Sequence, residues 1–577
     1  MSSGDQGSKN PFMVWRVNVR DQSFRREPIP SSWERLGGRG LLARILMDEV
    51  PGDCDPLGRE NKLIFAPGLL VGHMLSSCDR ISVGAKSPLT RGVKESNAGG
   101  RTGLQITHLG IKALILEDQP EKSGWWLLHL STQGVRFEAA DDLVGLGVYE
   151  TANRLLARYG DKVAIALIGP GGERLYSAAG IQNLDKDRVP SRINARGGLG
   201  AVMGSKGLKA IVIDARDGSK PPIADPGAFR QAQKEYTKAV IEHPQSELYR
   251  DYGTASMTRT TQAFSALPTR NFSSGQFEGA EQISGEFMRQ QMLNRGGDCE
   301  PAHACMAGCT IRSSNVYGGP DGKMVVSPLE YETIGLMGSN LGIDSLDTIA
   351  QLNWMVNDIG LDSIEIGAAL GVAAEAGLME FGDGKRAMEL VNEIYKDSET
   401  GRFLGNGAAS TGRALGVERV PVVKGQAISA YDPRAIKGTG VTYITSPQGA
   451  DHTDGLTIRA KVDHLEPKGQ ARLSAKAQVN MAGYDTLGAC IFAGYGFAAA
   501  PQTIAALLNA RYGWDVDKSI LKIFGKETLD LERQFNQMAG FTKADDCLPE
   551  WMLREPIQPI NAVFDVPEEE LETMFDD

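Results

Sequence analysis

Residues 195–213 read ARGGLGAVMGSKGLKAIVI, a glycine-dense turn (Arg196–Gly200) running into a β-branched stretch (Ala210–Ile213). Glycine lets a chain turn into positive φ and lets another group approach closely, and a short β-branched run bounded by Gly and Lys predicts a strand. Working outward, the same alternation fills residues from about 12 to 215. Val14–Val19, Lys62–Phe65, Ala113–Leu116 and Val163–Ile168 predict strands, and Gly37–Gly40, Asn97–Gly100 and Gly169–Gly172 are further glycine clusters. The segment DGSKPPIADPG (217–227) ends the β pattern. Beyond it the apolar period becomes helical. Ile349, Leu352, Met355, Val356 and Ile359 recur at three- and four-residue steps and predict a helix over Leu346–Gly360, with Asp344 and Asp347 as its start signal. GVERVPVVKG (416–425) breaks that pattern again, and the acidic end PEEELETMFDD predicts a solvated segment. The expected class is α+β, with a β-rich domain at 1–216, a helical middle domain at 217–418 and a mainly helical domain at 419–577.

Bulk properties narrow the function. A chain of 577 residues, 41% hydrophobic and 23% charged, is that of a multi-domain soluble protein. A net charge of -11 argues against nucleic acid as a partner. No run of eighteen apolar residues predicts a membrane span, and the start, MSSGDQGSKNPF, has no apolar core of a signal peptide. Seven cysteines are too few and too uneven for a disulfide framework, so a reducing, cytoplasmic setting is expected. The 68 glycines, without a collagen-like repeat, point to backbone in close contact with a large ligand.

CEPAHACMAGC (299–309) holds three of those cysteines and a histidine. Short spacing lets one loop supply several soft ligands. Two readings stand side by side: a closed zinc site from Cys299, His303, Cys305 and Cys309, or an iron–sulfur cluster completed by a distant cysteine. Cys490 ends the turn DTLGAC (485–490), and NDIGLD (357–362) has a similar shape, so the two turns are candidates to hold two halves of one pseudo-symmetric ligand.

Nearly end to end, the chain resembles the tungsten-containing aldehyde:ferredoxin oxidoreductases. The resemblance rests on GGRGL (37–41), KSPLTRG (86–92), SNAGG (96–100), ARGGLGAVMGSKGLKAI (195–211), CMAGC (305–309), LEYET (329–333), GSNLGI (338–343), YDPR (431–434) and DTLGAC (485–490), in that order. It implies an N-terminal pair of β-sheets cradling a tungsten (or molybdenum) bis-pyranopterin, two helical domains over the opposite face, and a [4Fe-4S] cluster. It implies that Arg80 and Arg192 contact the pterin system, joined by Ala98, Gly99, Arg196 and Gly197. Backbone carbonyls of Asn97 and Ile193 would hold a Mg²⁺ between the pterin phosphates. One turn (Asn357, Gly360, Leu361, Asp362) and the other (Asp485, Gly488, Ala489) would each hold a pterin. Both depart from the family's D-x-x-G-L-[CD]: Asn357 replaces aspartate and Ala489 replaces leucine. Cys305, Cys309 and Cys490 would bind the cluster. Ala302 stands where the family has its first cluster cysteine, so Cys299 is expected to be the remaining ligand, with His303 as the alternative. Glu332 would act as base and His452 would hydrogen-bond the substrate oxygen in oxidising an aldehyde with water to a carboxylic acid. Electrons would pass through the cluster to ferredoxin or a ferredoxin-like subunit. The family's E-x-x-H metal pair at a subunit interface is replaced by Gln351–Trp354 (QLNW), so no such bridging metal is expected, and the oligomeric state stays open. A relative reducing an aromatic acyl thioester is the alternative within the family, and a zinc-stabilised binding protein the alternative outside it.

Overall fold

Each β-branched run named above forms a strand in the computed structural model, which describes residues 12–121 and 123–576. The start of the chain, residues 1–11, on which most of the signal-peptide reading rests, lies outside the described residues. The strands are β1 (Met13–Asn18), β2 (Ser23–Glu27), β3 (Leu63–Pro67), β4 (Ile81–Lys86), β5 (Val93–Ala98) and β6 (Ile111–Glu117), then β7 (Trp126–Ser131), β8 (Gly134–Ala139), β9 (Ala164–Leu167), β10 (Ile181–Asn183), β11 (Arg192–Asn194) and β12 (Leu208–Ile213). They form two six-stranded sheets, ordered β2-β1-β6-β3-β4-β5 and β8-β7-β12-β9-β10-β11. The second order is the first advanced by six strands. The pairings match as well: β1/β6 and β7/β12 are parallel, and every other neighbouring pair is antiparallel.

This doubling has a sequence trace that the composition reading passed over. Asn97-Ala-Gly-Gly and Gly110-Ile-Lys-Ala-Leu-Ile-Leu116 in the first half correspond to Asn194-Ala-Arg-Gly-Gly and Gly207-Leu-Lys-Ala-Ile-Val-Ile213 in the second. The buried lysines also correspond. Lys112 donates to Leu36 O, and Lys209 donates to Leu146 O, each carbonyl lying just before a helix. Those helices are α1 (Gly38–Glu49) and α3 (Val148–Tyr159); α2 (Thr102–His108) lies between them in the chain.

Strand alternation explains the layering. Leu63, Phe65, Leu114 and Leu116 of one sheet pack against Leu128, Leu130, Ile211 and Ile213 of the other. The intervening Ile64, Ala113 and Ile115 pack beneath α1, and Leu127, Ile165 and Val212 beneath α3. The result is a two-sheet sandwich with a helix on each outer face.

After β12 the chain is mainly helical, and the largest core cluster runs from Tyr176 to Met574 through both helical regions. The helix Leu346–Ile359 forms, but Ser345 rather than Asp344 caps it, accepting from Thr348 N–H. Asp347 is instead held by Arg295, with Nη1–Oδ1 at 2.7 Å. The acidic tail forms the short helix Glu568–Glu572, largely exposed, while Met574 tucks into the core. No helix among the described residues is long and apolar enough to cross a membrane.

The sandwich and the helices are locked by Arg39, in the GGRGL stretch. Its guanidinium is 1% exposed and meets three carboxylates: Asp454 at 2.7 Å, Asp485 at 3.3 Å and Glu532 at 2.8 Å. One cation thereby fixes α1 to three segments of the C-terminal region. Removing it leaves buried negative charge uncompensated, which costs about 3–5 kcal/mol for a single broken pair. Arg39→Met is expected to destabilise the protein by at least about that amount, read as a lowered midpoint in chemical denaturation. A midpoint equal to wild type contradicts this role.

Candidate active site

The two turns NDIGLD and DTLGAC are the C-termini of the helices Leu346–Ile359 and Gln470–Leu487, each closed by a left-handed glycine, Gly360 (φ 85°) and Gly488 (φ 77°). Each seats on a glycine of the sandwich. A Cβ on Gly169 would lie 2.3 Å from Ile359 O, and one on Gly68 would lie 1.9 Å from Gly488 N. The backbone bonds around the seats correspond. Gly180 N–H donates to Gly360 O and Asp362 N–H to Ala178 O; Arg80 N–H donates to Gly488 O and Cys490 N–H to Ser77 O. Asp362 and Cys490 thus occupy equivalent places in the two halves, one a carboxylate and one a thiol.

Between these seats lies a cavity of about 580 Å³. Its wall includes Arg80, Ala98, Gly99, Arg192, Ile193, Cys305, Asn357, Asp362 and Cys490 together with Glu332 and His452. Several buried side chains, one on this wall and two outside it, have polar atoms that the protein itself does not satisfy. Arg192 is 8% exposed, yet its Nε and Nη2 have no partner. The Gln182 amide, fully buried beside Gly360, has neither its oxygen nor its nitrogen satisfied. Glu95 Oε1 is also unpartnered, and burial pushes that carboxyl up to about 7. Buried polar atoms left bare in a folded protein are uncommon. An unsatisfied guanidinium suits phosphate, and bare amide and carboxylate groups suit a polar ring edge. Gln182 and Glu95 went unnoticed in the sequence because nothing in their local pattern separates them from ordinary strand residues. The doubled motif would have flagged Glu95, since it places Glu95 opposite Arg192.

The thiols divide. Cys305, Cys309 and Cys490 gather. The neighbouring Cys309 and burial hold Cys305 well above the ordinary thiol range, and the neighbouring Cys305 draws Cys309 down to about 5. Burial also raises Cys490. A Cβ on Gly99 would stand 3.1 Å from Cys305 Sγ, so the sandwich meets this group closely. Cys299 does not join them. Its sulfur packs on Gly318, 2.5 Å from where a Cβ would be, and it is not part of the cavity wall. His303 is buried, with Nε2 held 2.7 Å from Asp187 Oδ2. The four candidates for a closed zinc site therefore do not converge, and no three His, Cys, Asp or Glu side chains among the described residues close on a single metal ion. Thiols set wider apart than one ion requires suit a polynuclear cluster. Ser77, with Oγ 3.5 Å from Cys309 Sγ, is the neighbour of the trio that the motif reading missed.

Arg196 and Gly197 are not at the cavity. Arg196 is spent inside the protein, donating to Ser429 Oγ (3.0 Å), Ala450 O (2.6 Å) and Ala427 O (2.6 Å), with Asp362 Oδ2 at 3.3 Å. Gly197 O accepts from Ser87. Nor do Gly360, Leu361, Asp485, Gly488 and Ala489 line it; they form the seats beneath. Asn97 O already accepts from Arg80 Nη2 at 2.7 Å.

Glu332 and His452, 120 positions apart in sequence, come together with Oε1 3.3 Å from Nε2. Glu332 sits in the first turn of the helix Tyr331–Met337, and its Oε2 accepts from Ala430 N–H at 2.8 Å. Ala430 is fixed by the YDPR stretch, where the fully buried Asp432 and Arg434 pair at 2.7 Å. Oε1 has no aligned hydrogen bond, and burial pushes the carboxyl above its usual range despite the nearby imidazole. His452 Nδ1 lies 3.1 Å from Ser429 Oγ. That oxygen already accepts from Arg196, so its O–H is free to donate to Nδ1. With Ser429 donating to Nδ1, a ring proton would sit on Nε2, toward Glu332 and the cavity. The arrangement is a buried proton acceptor beside a hydrogen-bond donor.

Fold and site together define a cofactor-dependent redox enzyme built on a doubled β-sandwich. The chain belongs to the aldehyde ferredoxin oxidoreductase family: the model of the family's N-terminal domain matches residues 14–215, and that of its domains 2 and 3 matches residues 231–577. It is 32% identical over 575 residues to a tungsten-containing aldehyde ferredoxin oxidoreductase of Pyrococcus horikoshii, covering 94% of this chain and 91% of that one. It is also 32% identical over 560 residues to the protein of that description in Pyrococcus furiosus, with 92% and 89% covered. A further Pyrococcus furiosus relative, described as an aliphatic sulfonate oxidoreductase, WOR-like subunit, is 28% identical over 74% of this chain and 72% of that one. Among solved structures, the active site complex BamBC of benzoyl coenzyme A reductase with 1,5-dienoyl-CoA shares the fold at a TM-score of 0.79. It covers 98% of this chain and 93% of that one, with 19% identity. The chain is therefore an oxidoreductase of a tungsten family.

Burial makes Glu332 ionise less readily folded than unfolded. A carboxyl with a raised folded pKa contributes fully below its unfolded pKa and loses that contribution as pH rises through the folded value. Above that folded value its charge therefore burdens the fold. Glu332→Gln is expected to raise stability at pH 8 by about 0.5–2 kcal/mol, the gain shrinking toward pH 5. Thermal unfolding of the apoprotein at both pH values checks the sign.

Proposed function

We propose that this protein oxidises aldehydes to carboxylic acids: RCHO + H₂O → RCOOH + 2H⁺ + 2e⁻. The observation that carries the reading is the Glu332/His452 pair on the wall of a cavity that also presents Arg192 and the thiols. A tungsten (or molybdenum) bis-pyranopterin bound there supplies the two-electron acceptor. Arg80, Arg192 and Gln182 would hold it, with the glycine seats of the two helix ends beneath it and Asn357 and Asp362 on one side. Asn97 and Ile193 would offer carbonyls to a Mg²⁺. Cys305, Cys309 and Cys490 would hold an iron–sulfur cluster, whose chemistry would be one-electron transfer toward a ferredoxin-like partner in the cytoplasm. Cys299 lies apart from them and is left out of the proposed ligand set. Glu332 takes the proton released as water oxygen adds to the carbonyl carbon. His452, presenting Nε2–H, donates to the carbonyl oxygen as negative charge grows on it.

The reading is tested on the metal-loaded enzyme. Glu332→Gln is expected to lower kcat by about 10²–10⁴-fold with tungsten and iron contents unchanged. The acidic limb of the wild-type kcat/KM profile is expected above the ordinary glutamate range, because the base must be ionised and burial resists that. Full activity in Glu332→Gln sinks the assignment. For the cluster, Cys299→Ser is expected to leave iron content and the cluster's electron paramagnetic signal unchanged, whereas Cys309→Ser loses both. Loss of iron in Cys299→Ser contradicts the three-thiol site.

A further inference from the structure

Arg459 is the one cavity-lining cation whose surroundings neither the cofactor nor the Glu332/His452 pair accounts for. It lies seven residues after His452 on the same connecting segment and is half-buried at the cavity wall. Most buried guanidiniums in this chain face carboxylates, as Arg39 and Arg434 do. Arg459 faces none. Its Nη1 donates to the Gln245 side-chain oxygen at 2.5 Å, and its Nη2 lies 3.0 Å from Met257 Sδ, a weak acceptor. Its charge otherwise rests on aromatic faces, 4.5 Å from the Tyr249 ring centre and 6.0 Å from that of Tyr495. Tyr249 in turn packs on Phe492 at 4.5 Å. A positive charge partly withdrawn from water with no anion beside it is costly, and such a group at a cavity wall is a candidate for ligand recognition.

We infer that Arg459 and the rings around it form a carboxylate-binding subsite, so that the aldehyde oxidised here carries a second, acidic group on an apolar or aromatic spacer. This rests on reading Glu332/His452 as the reacting end. A carboxylate matches a single guanidinium in charge and in its forked geometry, and a phosphate dianion would call for a second cation. Tyr249, Phe492 and Tyr495 supply the apolar flank against which a ring or methylene chain lies. Of the other cavity arginines, Arg80 is bonded to Asn97, and the bare Arg192 is assigned above to the cofactor.

The test uses the metal-loaded enzyme with benzaldehyde and 4-formylbenzoate, which differ only in the carboxylate. Wild type is expected to favour 4-formylbenzoate in kcat/KM by roughly 10- to 100-fold, the worth of a charged hydrogen bond. Arg459→Met is expected to lose that preference through KM, leaving benzaldehyde turnover within about threefold, while Arg459→Lys restores part of it. Equal handling of the two aldehydes by wild type overturns the subsite, whether or not the variants fold. So does a variant that slows both alike, or one that no longer retains tungsten, which would assign the guanidinium to the cofactor. If neither aldehyde is oxidised, the reaction assigned above fails, and calorimetric titration with terephthalate still decides the subsite. Binding by wild type that Arg459→Met abolishes supports it, and no binding, or equal binding, overturns it.

Discussion

Everything at the cavity depends on two places where backbone touches backbone. The ends of two helices rest on Gly68 and Gly169 of the sandwich at separations that leave no room for a Cβ. A methyl group at either seat would force the helix end away by about an ångström, because the obstacle is main chain and cannot rotate aside. Asp362 and Cys490 hang from the residues just past these seats, so their positions are set by main-chain hydrogen bonds rather than by side-chain rotamers. A site built this way is rigid before any ligand arrives, which is what orientation of a large cofactor requires.

The doubled sheet explains why there are two seats. One sheet motif used twice presents two equivalent edges, and a ligand with two similar halves is its natural complement. The equivalence is broken where chemistry differs. Asp362 is matched by Cys490, so one half ends in a carboxylate and the other in a thiol that belongs with Cys305 and Cys309. Glu95 is matched by Arg192, so the two halves present opposite charge. The symmetry makes the cradle, and the departures from it give direction to what is bound.

Much of this was legible in the chain. The β-branched runs and the glycine clusters gave the strands and their turns, because short strands buried on both faces carry a strong local signal. The motif series gave the pair Glu332 and His452, which no local pattern joins. What failed had physical reasons. Asp344 resembles a cap, but the helix begins one residue later and Ser345 reaches the amide. Cys299 stands apart from the other thiols of its loop, its sulfur lying against Gly318 beside the pairing of Glu300 with Val316. Spacing alone cannot show that. Gln182 became visible only through its unsatisfied atoms, a property of packing and not of sequence, whereas the doubled motif already marks Glu95.

Arg196 shows how a residue can sit in a cofactor motif and act on something else. It follows the strand that carries Arg192, yet its guanidinium is turned into the protein. There it holds three segments at once: Asp362 beside one seat, the backbone at Ala427 and Ala450, and Ser429. Ser429 is the partner of His452 Nδ1, so the tautomer of the imidazole is set through a hydrogen bond that begins in the sandwich. The charge of Arg196 also offsets that of the neighbouring Asp362 and Glu365, both buried. A lysine could supply the charge but not the planar fork that reaches four acceptors in different directions. The geometry of the Glu332/His452 pair is therefore fixed by the same glycine-rich segment that makes the second half of the cradle, and the two halves of the site cannot be built independently.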